Sequence, residues 1–193
     1  MQQRSMLTQG AILDAFVRLL VEKGYSSLTM RDIALVAGVG VGTLYEYFPG
    51  KRSIAAHCMQ QRFLNVGVCM EAWIVEMQGR PLLEGMQYVL DRLIELHAKQ
   101  VEEWSALILL ERQISDKRAF NALYLKIADI WGMLFRASCD LDQYPGKLPE
   151  LVHAAVYGVL YQTLMLSPQK LKNPEFSMQL NALVMGYLQI PSC

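Results

Sequence analysis

Residues 29–51, TMRDIALVAGVGVGTLYEYFPGK, constrain this chain more than any other stretch. Thr29 is placed to cap a helix that starts at Met30, and Asp32, at its third position, favours the positive end of the helix dipole. Met30, Ile33, Ala34 and Ala37 recur at three- and four-residue steps and give that helix one buried face. Gly38 can then adopt the left-handed conformation that stops the helix and reverses the chain, with Val39 filling the space behind it. The next segment, Val41 to Phe48, is too short to stand alone in water and is helical only if Leu44 and Phe48 pack on what precedes. Its other face carries Thr43, Tyr45, Glu46 and Tyr47, a dense set of hydrogen-bonding tips. A plain helical hairpin whose tyrosines cover a core is the alternative, but segments this short leave little core to cover. The pattern predicts a helix-turn-helix, a motif whose second helix enters the major groove of DNA.

Ile12, Ala15, Phe16, Gly24, Tyr25, Thr29, Ile33, Ala34, Ala37 to Val39, Gly42 to Tyr45, Tyr47, Phe48, Lys51 and Ile54 together resemble the amino-terminal domain of TetR-family transcriptional regulators. The likeness covers about the first third of the chain. It departs where that family often places a hydroxyl residue and then a polar or basic one at the start of the recognition helix; here those positions are Gly40 and Val41. The resemblance implies DNA binding. On that reading Thr29, Tyr45, Tyr47 and Lys51 hold phosphates, and Arg31 adds charge. Gly42 and Thr43 approach base edges, while Gly40 and Val41 let the backbone come close and offer a methyl contact to thymine.

The 193 residues suffice for one large or two small domains with a substantial core. Hydrophobic residues reach 53% and charged residues only 19%, so the apolar surplus needs a place to go. No apolar run approaches the roughly 18 residues of a membrane span, and no secretory signal layout opens the chain. The surplus is expected to line a cavity or a subunit interface of a cytoplasmic protein with no membrane partner. The zero net charge argues against a protein that coats nucleic acid, yet it hides an asymmetry. Residues 1–62 hold seven basic and four acidic side chains, a surplus of three that the remainder must offset. A mildly basic head on an acidic body fits a module that touches phosphate at one end.

All other periodicity is helical as well. Helices are expected at Leu7 to Lys23 with Ile12, Phe16, Leu19 and Leu20 inward, closed by Gly24 and frayed near Gly10. A long helix fits Lys51 to Met77, spanning on the order of 40 Å, and others fit Pro81 to Gln100, Glu102 to Ile114, Lys117 to Cys139, Pro149 to Leu166 and Pro174 to Leu188. The fold class is therefore all-α with about nine helices, divided into a DNA-binding domain at 1–50 and a ligand-binding and dimerisation domain at 51–193.

Two faces of the Pro149 helix are apolar, one through Leu151, Val152, Ala155, Val159, Leu160, Thr163 and Leu164 and one through Tyr157, Tyr161 and Met165. Such a helix must be buried on most sides. The final helix repeats the theme through Phe176, Leu180, Leu183, Val184, Tyr187 and Leu188, so burial against a second copy is the economical answer, with a monomeric core as the alternative. The ending LNALVMGYL also resembles TetR-family carboxy-terminal segments, which implies a four-helix interface in a homodimer.

No cofactor or metal is expected. Cys58, Cys69, Cys139 and Cys193 lack metal-ligand spacing and read as buried or idle thiols, and His57, His97 and His153 read as exposed or core-satisfied. Ser5, Ser105 and Ser115 have no recognisable base, and Glu102, Glu103, Glu111 and Arg112 read as a solvated stripe, so no enzyme is indicated. TetR-family bodies usually enclose a small-molecule effector, and the residues expected to line that space are Trp73, Trp104, Leu107, Glu111, Tyr124, Trp131 and Tyr161. Glu111 would favour a cationic or donor group there, with a surface ion pair to Arg112 or Lys117 as the alternative. The resulting expectation is a repressor released from operator DNA by a small apolar effector, against a helical binding protein without DNA function or a helical enzyme.

Overall fold

The computed structural model describes residues 2–114 and 117–189, with side chains from Ser5 onward. Ser115, Cys193 and the side chain of Arg4 lie outside the described residues. Among those described, the chain is all α, with nine helices and two short 3-10 turns. The helices are α1 (Gln2–Ser27), α2 (Met30–Ala37), α3 (Val41–Tyr47), α4 (Lys51–Glu76), α5 (Leu82–Lys99), α6 (Val101–Ile114), α7 (Lys117–Ala137), α8 (Pro149–Leu166) and α9 (Pro174–Gln189). The turns, Leu141–Gln143 and Pro168–Lys172, lie in the connections before and after α8.

α1 begins earlier than its apolar periodicity indicates, so Gly10 stands inside the helix and not in a fraying first turn. Gly24 does interrupt it, at φ 75° and ψ 161°, a conformation open to glycine at little cost. The chain beyond then folds back so that the Tyr25 ring meets Phe16 edge-on at 6.4 Å.

Packing divides the chain into two compact units, Met1–Arg62 with Glu102–Ser115, and Phe63–Val101 with Asp116–Cys193. In the first, Ile12, Phe16, Leu19 and Leu20 of α1 are buried with Ile33, Ala34, Leu44, Phe48 and Ile54. In the second, α7 and α8 pack along their length, and α5 packs with α9. Gly85 lets α5 come close to α7, since a Cβ there would meet Leu134 Cδ1 at 3.0 Å. Asp140 caps α5 from a distant loop, its Oδ1 accepting from the Leu82 N–H at 2.7 Å.

α8 and α9 each bury one face within the unit, through Val152, Val156, Leu160 and Leu164, and through Leu180, Val184 and Leu188. The Leu151 and Ala155 edge of α8 and the Leu183 edge of α9 stay open. Leu151 and Leu183 are about half exposed, and with Val152, Ala155, Val184 and Tyr187 they line a shallow groove of about 120 Å³. No described helix is long and apolar enough to cross a membrane.

Candidate nucleic-acid interface

The head is assembled by local chemistry. The Thr29 hydroxyl accepts from the Asp32 N–H at 3.2 Å and donates to Asp32 Oδ2 at 2.8 Å, while the Thr29 N–H reaches the same oxygen at 3.1 Å. This capping box starts α2. Thr29 and then Lys23, whose Nζ lies 3.4 Å from Oδ1, hold the Asp32 carboxyl below its ordinary pKa, so the box stands above the carboxylate range and is lost as pH falls through it. Gly38, at φ 69°, ends α2 in the left-handed conformation, and the Val39 N–H then donates to the Ala34 carbonyl at 3.0 Å. Leu44 is wholly buried and Phe48 nearly so, which fixes the seven residues of α3 against the preceding helices. Each such side chain contributes on the order of 2 kcal/mol. Val39 is only half-buried.

The structure sorts the nine residues assigned to DNA by what their polar tips already do. Thr29 is engaged in the cap. Tyr47 is half-buried and donates its hydroxyl to Ser5 Oγ of α1 at 3.2 Å. Lys51 places its ammonium at the end of α1, donating to the Tyr25 carbonyl at 2.7 Å and the Ser26 carbonyl at 3.5 Å, 4.4 Å above the Tyr25 ring. These three tips hold the head together. By contrast Arg31, Gly40, Val41, Gly42 and Tyr45 are exposed, and Thr43 stands half-buried beside them. Gly40 opens α3 with no side-chain cap.

Charge is distributed the same way. Arg18 pairs with Glu22 at 2.9 Å, Lys23 with Asp32, and Arg62 with Glu103 at 3.5 Å; Arg52 donates to the Ile114 carbonyl at 3.1 Å. Among the described basic side chains of residues 1–62, Arg31 alone carries neither an ion pair nor a hydrogen bond. Arg31 is thus the group most available to phosphate. Sequence reasoning missed the partners Ser5, Gln9, Arg52 and Glu103. Gln9 Nε2 lies 3.0 Å from His57 Nε2, and no local pattern announces a pair 48 residues apart.

The residues assigned to an effector fall in both units. Trp104, Leu107 and Glu111 on α6 belong to the first, and Trp73, Tyr124, Trp131 and Tyr161 to the second. Trp131 has no accessible surface and packs as core, while Trp73, Tyr124 and Tyr161 are half-buried. Two readings of α6 are corrected. Glu111 is 5% exposed and makes no ion pair among the described residues, so neither the surface pair nor the solvated stripe holds. Burial raises its pKa against the lowering effect of Arg112. Glu103 is half-buried against Arg62, for the same reason that α6 faces α4 and not solvent.

The histidines also divide. His97 is fully buried, a core group whose Nδ1 lies 2.7 Å from the Leu93 carbonyl and is satisfied there. His153 is neither exposed nor satisfied, being 4% exposed with Nε2 lacking a hydrogen-bond partner. Desolvation pushes both imidazoles down to about 4. Among the thiols, Cys58 is buried and pushed up to about 11, and Cys69 and Cys139 are also unbonded. No group of His, Cys, Asp and Glu suited to a metal ion occurs among the described residues.

A capped helix, a left-handed glycine turn and a short helix with an open polar edge define a helix-turn-helix protein. Residues 12–58 match the profile described as bacterial regulatory proteins, tetR family. The transcriptional repressor KstR of Rhodococcus jostii is 35% identical over 82 residues, which cover 42% of this chain and 37% of that protein. The match thus spans little over a third of the length of that curated relative. A TetR-family transcriptional regulator from Mesorhizobium loti shares the fold across 97% of this chain and 98% of its own, at a TM-score of 0.75 and 20% identity. So does FadR from Bacillus subtilis in complex with stearoyl-CoA, across 94% and 98%, at a TM-score of 0.74 and 21% identity. Residues 12–58 are thus of the kind found in the tetR family of bacterial regulatory proteins, and the whole chain shares the fold of the two solved structures.

Proposed function

We propose that this protein is a cytoplasmic transcriptional repressor that binds operator DNA as a homodimer and releases it when a small apolar effector binds. The helix-turn-helix with Arg31, Thr43 and Tyr45 free beside an uncapped α3 is the observation that carries this reading. Arg31 meets phosphate, Thr43 and Tyr45 reach base edges or sugar, and the bare Gly40 to Gly42 segment lets α3 seat deeply. Thr29, Tyr47 and Lys51 act mainly by fixing that geometry. The open groove of α8 and α9 supports a second copy as partner, and two-fold proteins read inverted half-sites. KstR is named a repressor, and the fold shared with FadR in complex with stearoyl-CoA supports an apolar effector. Trp73, Tyr124 and Tyr161 keep ring surface for such a molecule, and Glu111, Trp104 and Leu107 are the α6 candidates. The family is one of regulators, and the chemistry proposed here needs no catalytic group.

The test is selection of genomic fragments by the purified protein, followed by light scattering of the free and bound forms. Enrichment of one sequence with two inverted half-sites, bound by a dimer, is expected. Failure to enrich any fragment, or a monomer that binds one half-site at full affinity, overturns the reading.

A further inference from the structure

Along the seam between α7 and α8, four rings stand in mutual contact. Tyr124 lies 4.3 Å from His153 and 5.4 Å from Tyr157; Phe120 lies 5.8 Å from Tyr124 and 6.0 Å from Tyr157. The His153 and Tyr157 rings are 5.9 Å apart. Phe120, Tyr124 and Tyr157 are only half-buried, so the cluster keeps ring surface open, while the imidazole beneath them is nearly sealed. A buried nitrogen with no hydrogen bond is costly, and few native structures keep one without a purpose. Among the described residues of this aromatic patch, it is the one buried side-chain polar atom that lacks a hydrogen bond.

We infer that this cluster opens to bind a planar aromatic molecule bearing a hydroxyl group, the half-buried rings of Phe120, Tyr124 and Tyr157 turning aside so that its O–H donates to His153 Nε2 while its ring packs among theirs. This rests on the effector reading above and names the chemical class of the effector. The neutrality of the site selects against ions. The rings in it carry no charge, and burial holds the imidazole neutral near pH 7, so a carboxylate would be desolvated without meeting a positive charge among them. A hydroxyl gives up one hydrogen bond to water and regains one to the nitrogen.

The probes are 2-naphthol, its methyl ether, which has the same shape without the donor, and 2-naphthoate, which is an anion. Calorimetry on the full chain is expected to show naphthol binding about tenfold tighter than the ether, with naphthoate weakest. The preference collapses in His153→Leu and is kept in His153→Gln, whose amide oxygen still accepts. If His153→Leu does not fold, the imidazole ¹⁵N resonances of the native protein decide, since a hydrogen bond accepted at Nε2 moves that signal modestly, whereas protonation or a change of tautomer moves both nitrogens by much more. Equal binding of naphthol and ether, a preference for naphthoate, no saturable binding, or an unmoved Nε2 signal each overturns the assignment. Release of DNA is scored separately. Naphthol that binds through His153 and leaves DNA bound keeps this site and refutes the effector role, whereas release by apolar compounds without any hydroxyl preference does the reverse.

Discussion

The two units of this molecule are fastened by different means. The first is held by directional polar bonds: Lys51 on the Tyr25 carbonyl, Arg52 on the Ile114 carbonyl, Thr29 on the Asp32 N–H and Tyr47 on the Ser5 hydroxyl. The second adds to a few polar ties, such as Asp140 on the Leu82 N–H and Ser177 on Asp91, a series of rings, Phe120, Tyr124, His153, Tyr157 and Tyr161 along the α7 and α8 seam, with Trp131 fully buried. Helix length accounts for the Thr29 and Tyr47 bonds. Helices of seven and eight residues bury too little apolar surface to fix their own orientation, so each needs a directional bond. Helices of 18 and 21 residues bury enough without one. The lesson for function is that a polar tip in the head cannot be assumed free for DNA, and a polar atom without a partner in the body stands out.

The largest expected effect lies in the second unit. Trp131→Ala should cost about 3–5 kcal/mol in urea unfolding, because a fully buried indole leaves a cavity that long packed helices fill poorly. A loss under 1 kcal/mol would show that the region around Trp131 is loosely packed and open to ligand.

Acid comes next. His97 and His153 have folded pKa values of about 4 against 6.5 unfolded. Between those values the unfolded chain binds protons that the folded chain refuses, so stability rises with pH across that window and falls on acidification. From pH 7 to pH 5 each imidazole should account for a loss of about 2 kcal/mol. Glu111 acts in reverse: with its pKa raised by burial, its unfavourable charge is relieved as pH falls. The comparison of native protein with His153→Phe isolates the imidazole share, and an identical pH dependence in the two would refute the buried neutral state of His153.

Local periodicity made the helices legible. Ile12, Phe16, Leu44 and Phe48 stand where three- and four-residue spacing puts them, and Thr29 and Gly38 bound α2 because caps are encoded within four residues of the end they serve. Partners across the fold left no such trace. Ser5 is 42 positions from Tyr47, and Lys51 is 26 from the carbonyl it holds, so spacing could show Lys51 to be basic and near a turn but not where its ammonium points. His153 was closer to legible. With Tyr157 and Tyr161 it forms an i, i+4, i+8 row on α8, and an isolated histidine at the head of an aromatic row is a signal that single-residue inspection overlooks.

The smallest effect separates the two roles most sharply, because it sets Lys51 against Arg31 within the head. If the Lys51 ammonium serves chiefly to close α1 onto α4, Lys51→Ala should cost about 1 kcal/mol of stability and weaken every DNA sequence alike. Its salt dependence should be nearly unchanged, since no phosphate contact is lost. Arg31→Ala should leave stability within about 0.5 kcal/mol of the native protein, as its side chain holds nothing in place. It should instead lower the slope of log affinity against log salt by about one unit for each head on DNA. Titration of both variants on one operator at several salt concentrations reads the two slopes side by side. A lowered slope in Lys51→Ala with unchanged stability would mean that the ammonium leaves the Tyr25 carbonyl for phosphate when DNA arrives, and the fastener would then be the resting position of a DNA contact.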